Sequence, residues 1–386
     1  MITKLAISGY RSLRDIKIGL DNVNIVTGAN GSGKSSLFKS LKLLTETSRG
    51  QLFTSLAKEG GFPSTLWAGP EQFSRAMKSG EHAIQATVRQ APVGLKLGFA
   101  SDDLSYLVDL GLPAQDDTSC FGHDPEIKQE LVWHGEIMRP STMLAKRSGP
   151  SVSLRDMETD DWKNTNSNLS SFDSMLTHGL DPTLAPELLL LREQMRAWRF
   201  YDHFRTDEDA PVRQAQIGTR TPILSPDGHD LAAALQTIIE IGYPEDLESA
   251  INDAFPGARL SIEVEDGKFT LFMSQYGLLR KLSARELSDG TLRYILLVAA
   301  LLSPRPPAFL VLNEPETSLH QNLLAPLARL IARASERSQI LIVSHSDVLI
   351  DTLTTEIGCQ LIPLSKNLSE TEVPLENQTN WTWPKR

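Results

Sequence analysis

A glycine-rich segment near the N-terminus carries the clearest chemical signal in the sequence. Residues 28–35 read Gly-Ala-Asn-Gly-Ser-Gly-Lys-Ser and fit the phosphate-loop pattern G-x-x-x-x-G-K-[ST] at every fixed position. Its glycines let the backbone curl around an anion with successive amides pointing inward. The pattern predicts that Lys34 reaches the β- and γ-phosphates of a nucleoside triphosphate and that the Ser35 hydroxyl binds Mg²⁺. The candidate nucleotide-binding residues of this loop are Gly28, Ala29, Asn30, Gly31, Ser32, Gly33, Lys34, Ser35 and Ser36.

The elements on either side of this loop are those that a phosphate site needs. An apolar run at 23–26 predicts a strand before it, and leucines at 37, 41 and 44 predict a helix over 36–46 after it. The positive end of that helix would face the phosphates. A glycine-rich turn that matches by chance would leave this strand and helix unexplained.

A second candidate phosphate contact lies at 287–290, Leu-Ser-Asp-Gly, ahead of an apolar, helix-like run at 292–302. The hydroxyl of Ser288, the small-residue turn at Gly290 and the helix N-terminus together suit the capture of a phosphate. The same residues also suit an ordinary helix N-cap. The residues alone leave both interpretations open.

Two further apolar runs, 308–312 and 339–343, predict buried parallel strands. The first ends before Asn313 and Glu314, and a carboxylate at the end of a strand beside a phosphate loop can orient or deprotonate an attacking water. Glu314 is therefore the candidate general base. The second run ends before His345, which is a candidate hydrogen-bonding partner for the γ-phosphate.

In this order, the segments resemble those of ABC-type ATPases, the group that includes RecF, SMC and Rad50 heads and the OLD-like AAA family ATPases. The run 314–320, Glu-Pro-Glu-Thr-Ser-Leu-His, is especially similar to the OLD-like members. The corresponding family motifs are the Walker A loop (28–35), the signature motif (287–290), the Walker B strand (310–314), the D-loop region (318–320) and the switch histidine (His345).

The resemblance implies a P-loop head that hydrolyses ATP with Mg²⁺ and forms a homodimer around two ATP molecules. Ser288 and Gly290 of one subunit would contact the γ-phosphate held by the other. Lys34, Glu314 and His345 would be catalytic residues. ATP would close the dimer and hydrolysis would reopen it, coupled to DNA binding in repair or in anti-phage defence.

Two departures from the family pattern affect the metal. The family places Asp before the catalytic Glu, whereas this chain has Asn313, which retains an acceptor oxygen and loses the charge. With Ser35 and Asn313 as the candidate metal residues, we expect weaker Mg²⁺ binding and slow turnover. The family's metal-sensing glutamine has three candidates that the sequence does not separate, Gln72, Gln85 and Gln90.

Charge gives opposing indications about DNA. The net charge of −10 over 386 residues argues against a generally basic, DNA-coating protein. A helix predicted within 182–201 carries an arginine stripe that could bind phosphates, or could be a solvated face paired with Glu187 and Glu193. The arginines that favour a DNA contact are Arg192, Arg196, Arg199, Arg205, Arg213 and Arg220.

The remaining sequence features predict a cytoplasmic protein without a membrane partner. No apolar run of about eighteen residues exists, and the first residues lack a signal-peptide pattern. Cys120 and Cys359 belong to no metal or disulfide motif.

We expect an α/β P-loop head with an N-terminal antiparallel β-layer that continues through 50–113, and no long coiled coil. The predicted segments are an N-terminal ATPase lobe (1–113), an inserted helical and loop-rich region (114–245) and a C-terminal ATPase lobe (246–386). A hairpin is predicted around Asp266-Gly267.

Two functions from different classes fit these expectations. One is the DNA-coupled ATPase, and the other is a slow-turnover, ATP-gated interaction module that holds or releases an effector protein. Salt-dependent DNA affinity would favour the first, and co-purification of an effector the second. A small-molecule phosphotransferase would leave 287–290 and His345 without a role.

Overall fold

A computed structural model describes residues 1–79, 81–83, 94–114, 119–156, 159–166, 168–178 and 183–386. The strands in these residues are β1 (Ile2–Tyr10), β2 (Leu13–Gly19), β3 (Val23–Thr27), β4 (Gly94–Ser101), β5 (Leu104–Gly111), β6 (Glu126–His134), β7 (Met143–Ser148), β8 (Ser151–Arg155), β9 (Trp162–Asn166), β10 (Arg199–Tyr201), β11 (Gln216–Ile217), β12 (Arg259–Glu265), β13 (Lys268–Ser274), β14 (Leu282–Ser283), β15 (Phe309–Asn313), β16 (Gln339–Val343), β17 (Gln360–Pro363), β18 (Ser365–Asn367) and β19 (Glu370–Glu372).

The α-helices are α1 (Lys34–Arg49), α2 (Leu52–Lys58), α3 (Phe62–Thr65), α4 (Arg75–Ser79), α5 (Pro186–Ala197), α6 (Leu231–Ile241), α7 (Pro244–Ala254), α8 (Asp289–Leu301), α9 (Leu324–Ser335) and α10 (Asp347–Ile357). Short 3₁₀ turns occur at Pro211–Arg213, Gln321–Leu323 and Leu375–Asn377. The longest helix in the described part of the chain is α1, with 16 residues, so the expectation of no long coiled coil holds there.

The chain forms two compact units. Unit 1 comprises residues 1–21, 27–198 and 362–386, and unit 2 comprises 22–26 and 199–361. These limits differ from the boundaries after 113 and 245, which follow the order of motifs along the chain. The three-segment division stays a prediction.

Unit 1 is built on an eight-stranded sheet in the order β2-β1-β4-β5-β6-β7-β8-β9, with antiparallel neighbours throughout. This is the predicted N-terminal antiparallel layer, and it is larger than expected. Every residue of β5 is buried. Helix α1 buries Leu37, Leu41 and Leu44, the apolar face that predicted it.

The sequence expectations for two segments of unit 1 need correction. Residues 52–79 contain the short helices α2, α3 and α4 where the β-layer was expected to continue. In α2, Leu52 and Leu56 lie one helical turn apart and are both buried, which favours the helix. Strands β6 to β9 occupy most of 126–166, so the inserted region is helical and loop-rich only beyond them.

Unit 2 contains the parallel sheet that the two apolar runs predicted. Strands β10, β15, β16 and β3 are neighbours in that order and run parallel, with β17 beside β3. All of β16 is buried, and so is all of β15 except its last residue, Asn313, which is half-buried. Near-continuous apolar runs are typical of strands covered on both faces.

Helix α8 and a small antiparallel sheet complete the core of unit 2. Residues 292–301 of α8 are all buried, which explains why this helix is apolar almost all round, apart from Arg293 and Tyr294. Strands β12 and β13 pair across the predicted hairpin, and Asp266 and Gly267 at its turn have φ of 48° and 73°. Positive φ at both positions is the requirement of a type I′ turn, so the hairpin is confirmed.

Across the described residues, no helix has both the length and the apolar character needed to cross a bilayer.

Candidate functional site

The loop between β3 and α1 has a conformation that requires glycine at positions 28 and 33. Gly28 and Gly33 have φ of 141° and 115°. A Cβ at Gly28 would lie 2.3 Å from the carbonyl oxygen of Leu364, and a Cβ at Gly33 would lie 2.3 Å from Oγ1 of Thr371. The turn leads directly into α1, whose first backbone bond runs from Leu37 N to Gly33 O at 2.9 Å. The loop therefore presents a helix N-terminus, which attracts anions.

Two side chains of this loop fit a phosphate. The ammonium of Lys34 is buried and donates to the carbonyl oxygens of Gly28 (2.5 Å) and Ala29 (3.2 Å), so it lies inside the curl of the loop. The hydroxyl of Ser32 is buried without a hydrogen-bond partner in the described part of the chain. An unsatisfied buried hydroxyl is costly, and a phosphate oxygen would satisfy it. Ser35 is exposed in the first turn of α1, as a metal-binding hydroxyl requires.

The C-terminal hairpin β18–β19 braces this loop. The hydroxyl of Thr371 donates to the carbonyl oxygen of Ser32 at 2.7 Å, and Thr371 is buried. Its oxygen also lies 2.8 Å from Oγ of Ser12. Sequence reasoning did not find this contact, because the tail contains no motif and pairs with residues more than 300 positions away.

In unit 2, two of the predicted site residues follow neighbouring parallel strands. Glu314 follows β15 and His345 lies two residues after β16, with His345 Nδ1 3.7 Å from Glu314 Oε1. The backbone of Glu314 has φ of 45°, a conformation that is strained for a non-glycine residue and is common at functional sites. Its N–H donates to Val343 O at 2.7 Å, which fixes it to β16.

Glu316 positions the turn that carries His345. Its Oε1 accepts hydrogen bonds from Ser344 Oγ (2.6 Å) and from the backbone N–H of His345 (3.0 Å). Glu316 is 8% exposed, and its Oε2 has no partner in the described residues. This role of Glu316 was not predicted, although its place as the second glutamate of the Glu-Pro-Glu run was the available signal.

A buried cation balances these carboxylates. Arg293, on α8, donates to Glu314 O at 3.4 Å, and its Nη1 lies 3.2 Å from Nδ1 of His203. Burial lowers the pKa of Arg293 below its usual value, while the charges of Glu316, Asp202 and Glu314 act in the opposite direction. Its position inside an apolar helix run gave no signal in the sequence.

Asn313, the departure from the family pattern, has a carboxylate beside it. Its Nδ2 donates to Oδ1 of Asp202 at 2.7 Å. Asp202 directly follows β10, the parallel neighbour of β15, so the two residues end adjacent strands. Sequence reasoning missed Asp202 because the three residues of β10 were read as part of a helix.

The signature segment forms the N-terminus of α8. Ser288 is the N-cap, and its Oγ accepts a hydrogen bond from Thr291 N at 3.2 Å, so the N-cap interpretation is confirmed. A Cβ at Gly290 would lie 2.8 Å from the carbonyl oxygen of Ser318, which explains the glycine. Both Ser288 and the helix end are exposed, and phosphate capture there stays a prediction.

Several arginines proposed for DNA contacts are paired within the chain. Arg192 and Arg196 each contact Glu193, one of the two glutamates that the solvated-face interpretation named. Arg213 is 8% exposed and donates to carbonyl oxygens at 284–287, so it holds the signature loop and does not face solvent.

The metal-sensing glutamine remains a prediction. Gln85 and Gln90 lie outside the described residues, and Gln72 lines a surface cavity with Arg14 and Glu370.

Within the described ranges, no group of three or more His, Cys, Asp or Glu side chains is arranged to hold a metal ion. Mg²⁺ that accompanies a nucleotide is typically held by phosphates and one or two protein oxygens. The donors available for that role are hydroxyl, amide and carboxylate oxygens, so Ser35 and Asn313 remain candidates.

Solved structures that resemble this chain include SMC heads. An SmcHead bound to the C-winged helix domain of ScpA is 13% identical, with a TM-score of 0.52, and the match covers 97% of this chain and 98% of that one. A Smc head domain with an extended coiled coil, bound to the C-terminal domain of ScpA derived from Pyrococcus furiosus, is 12% identical with a TM-score of 0.50, over 97% and 95% of the two chains. At this identity, the matches establish the fold. A comparison with curated protein sequences finds no match.

The sequence model of one protein family, described as "AAA domain, putative AbiEii toxin, Type IV TA system", matches residues 23–351. This range includes all the predicted motifs and most of the chain. The chain therefore belongs to this AAA-domain family and has the fold of a P-loop ATPase head of the SMC type.

Proposed function

We propose that this protein is an Mg²⁺-dependent ATPase that forms a homodimer around two ATP molecules and couples its nucleotide state to DNA binding, in repair or in anti-phage defence. The observation that carries the ATP-binding part is the phosphate loop. Its curl contains the Lys34 ammonium and the buried Ser32 hydroxyl, which has no partner among the residues that the structure describes, and it ends at the N-terminus of α1. These are the groups that bind a triphosphate.

The hydrolytic part of the proposal rests on the ends of the parallel strands. In open α/β sheets, ligands bind beyond the carboxyl ends of the strands. Asn313, Glu314 and the His345 turn follow the neighbouring parallel strands β15 and β16. In this proposal, Glu314 takes a proton from the attacking water, and His345 hydrogen-bonds the γ-phosphate. From the resemblance to ABC-type ATPases, Ser35 and Asn313 would hold the metal, which would neutralise phosphate charge.

The proposals that the protein dimerises around ATP and couples this to DNA binding rest on the resemblance to SMC-type heads. The exposed N-terminus of α8, with Ser288 and Gly290, is available to a γ-phosphate bound by a second copy. Since ATP and ADP differ by that phosphate, only ATP would stabilise the closed dimer. Arg213 is buried in its contacts with the signature segment, so a DNA contact would use the other arginines.

The experiment measures ATP turnover and ATP-dependent dimerisation with and without DNA. Lys34→Ala should abolish ATP binding. Glu314→Gln should bind ATP, accumulate the dimer and lose about 10²- to 10⁴-fold in turnover. Lys42→Ala, on the exposed side of the same helix, and Glu336→Gln, an exposed glutamate after α9, are matched controls that should behave as wild type.

The outcomes separate the candidate functions. Turnover that DNA stimulates, and that both site variants lose, supports the proposal. An ATP-dependent dimer with turnover that is slow and indifferent to DNA favours an ATP-gated module that holds an effector protein, which the toxin–antitoxin wording of the family description also suits. Wild-type protein that binds no ATP contradicts both.

A further inference from the structure

The hydrogen bond between Asn313 and Asp202 joins the ends of two adjacent parallel strands. Tyr201 in β10 is paired with Leu312 in β15, so the next residues of the two strands, Asp202 and Asn313, stand side by side. An ionised carboxylate only accepts hydrogen bonds, which makes the amide Nδ2 of Asn313 the donor in this 2.7 Å contact. The bond therefore orients the Asn313 amide and leaves its carbonyl oxygen to other partners.

A buried arginine lies near the Asp202 carboxylate of this pair and near two further carboxylates. Arg293 is 3% exposed, and the carboxylates of Glu316, Asp202 and Glu314 all lie close enough to favour its charged form. Among the described residues, neither the buried Oε2 of Glu316 nor the buried Nε of Arg293 has a hydrogen-bond partner. Polar atoms of this kind indicate a site that a ligand or its hydration shell completes.

We infer that Asp202 supplies the negative charge that Asn313 lacks, so that the Asp202–Asn313 pair performs the metal-supporting task of a single Walker B aspartate. This inference rests on the proposed function. Asp202 would support a bound Mg²⁺ through water, and Asn313, oriented by Asp202, would offer its amide oxygen. Asp202 is thus a positioning residue for the metal. The slow turnover that Asn313 predicted from the sequence alone is not expected.

The test measures how much Mg²⁺ tightens the binding of a fluorescent ATP analogue to the full-length protein. The Mg²⁺ gain is the dissociation constant in excess EDTA divided by that in saturating Mg²⁺. Residues that orient metal ligands typically contribute 10- to 100-fold to metal affinity, so Asp202→Asn should reduce the gain by about 10-fold or more. The affinity in EDTA should stay the same or rise, because a negative charge near the phosphates is removed.

A charge transposition separates this role from a structural one. The double variant Asp202→Asn, Asn313→Asp keeps one carboxylate and one amide in contact, with the donor and acceptor exchanged, and should recover the wild-type gain. Asp207→Asn is the matched control, since Asp207 is an exposed carboxylate on the same segment that pairs with Arg205 at 2.7 Å. It should leave the gain unchanged.

An unchanged gain in Asp202→Asn overturns the inference, and so does a lost gain that the double variant does not recover. If the single variant does not fold, the Mg²⁺ gain of the double variant is compared with that of wild type. A gain well above the wild-type value would overturn the inference, because Asp at position 313 would then add a charge effect that Asp202 had not supplied. Wild-type protein that binds no ATP would contradict the proposed function itself. A wild-type gain that Asp202→Asn retains would contradict only the inference.

Discussion

The hydroxyl of Thr371 donates to the carbonyl oxygen of Ser32 at 2.7 Å, so a hairpin near the C-terminus holds the phosphate loop near the N-terminus. The two residues are 339 positions apart. Thr371 also lies against Gly33, where a Cβ would meet its side chain at 2.3 Å. The loop conformation therefore depends on the end of the chain as well as on its own glycines.

Thr371→Val tests this brace, because valine keeps the shape of threonine and removes the donor. We expect a loss of about 1 kcal/mol in the free energy of unfolding and weaker ATP binding, since the Ser32 carbonyl loses its partner. Urea unfolding and titration with a fluorescent ATP analogue measure the two effects. Thr371→Ser retains the hydroxyl and should bind ATP as wild type does. Equal ATP affinities for wild type, Val and Ser variants would contradict the brace.

Arg213 supports the signature motif (287–290) as Thr371 supports the phosphate loop. Its Nη1 donates to the carbonyl oxygen of Leu287 at 2.7 Å, and its Nη2 donates to Asp289 Oδ1 at 2.6 Å, on either side of Ser288. Arg213→Lys keeps the charge and loses the planar fork that makes these contacts together. We expect this variant to bind ATP normally and to lose ATP-dependent dimerisation by about 10-fold or more, the effect of losing one or two charged hydrogen bonds.

Analytical ultracentrifugation with and without ATP measures this change in dimerisation. Arg205→Lys is the matched control, because Arg205 is exposed and pairs with Asp207, outside the signature loop. A dimer of unchanged stability in Arg213→Lys would show that the signature loop does not need this support.

The glycine loop and the two buried strands were predictable because local patterns encode them. The pattern at 28–35 has fixed residue types, and the apolar runs coincide with β15 and β16 to within a residue. Asp202 was not predictable, because β10 has three residues and carries no periodicity that identifies it as a strand. Arg293 was hidden for a related reason, since it lies in an apolar helix where a cation is unexpected. Such residues act through contacts between distant segments, which spacing along one segment does not reveal.

Glu316 offers a test of how the His345 turn is held. Glu316→Ala removes the acceptor for Ser344 Oγ and His345 N, and leaving buried donors unpaired should cost about 1 to 3 kcal/mol in the free energy of unfolding. Glu316→Gln keeps one acceptor oxygen in place and should cost less. Urea unfolding compares the two variants with Glu336→Ala, an exposed control. A glutamine variant as unstable as the alanine variant would mean that the charge beside Arg293, and not the acceptor geometry, holds the turn.

The last prediction concerns pH and the turn between β14 and α8. Hydrogen bonds from Arg280, and then from Ser283, lower the pKa of Glu286 from its usual 4.5 to about 2. Because the pKa is lower in the folded protein, the contribution of Glu286 to stability is complete above about pH 4.5 and is lost as the pH falls toward 2. The urea midpoints of wild type and Glu286→Gln should therefore approach each other as the pH falls from 5 to 2, and most of the difference seen at pH 5 should be lost. Arg280→Met should remove most of the same pH dependence, since Arg280 is the main partner of the carboxylate. A difference that stays constant across this range would show that Glu286 acts through packing and not through its charge.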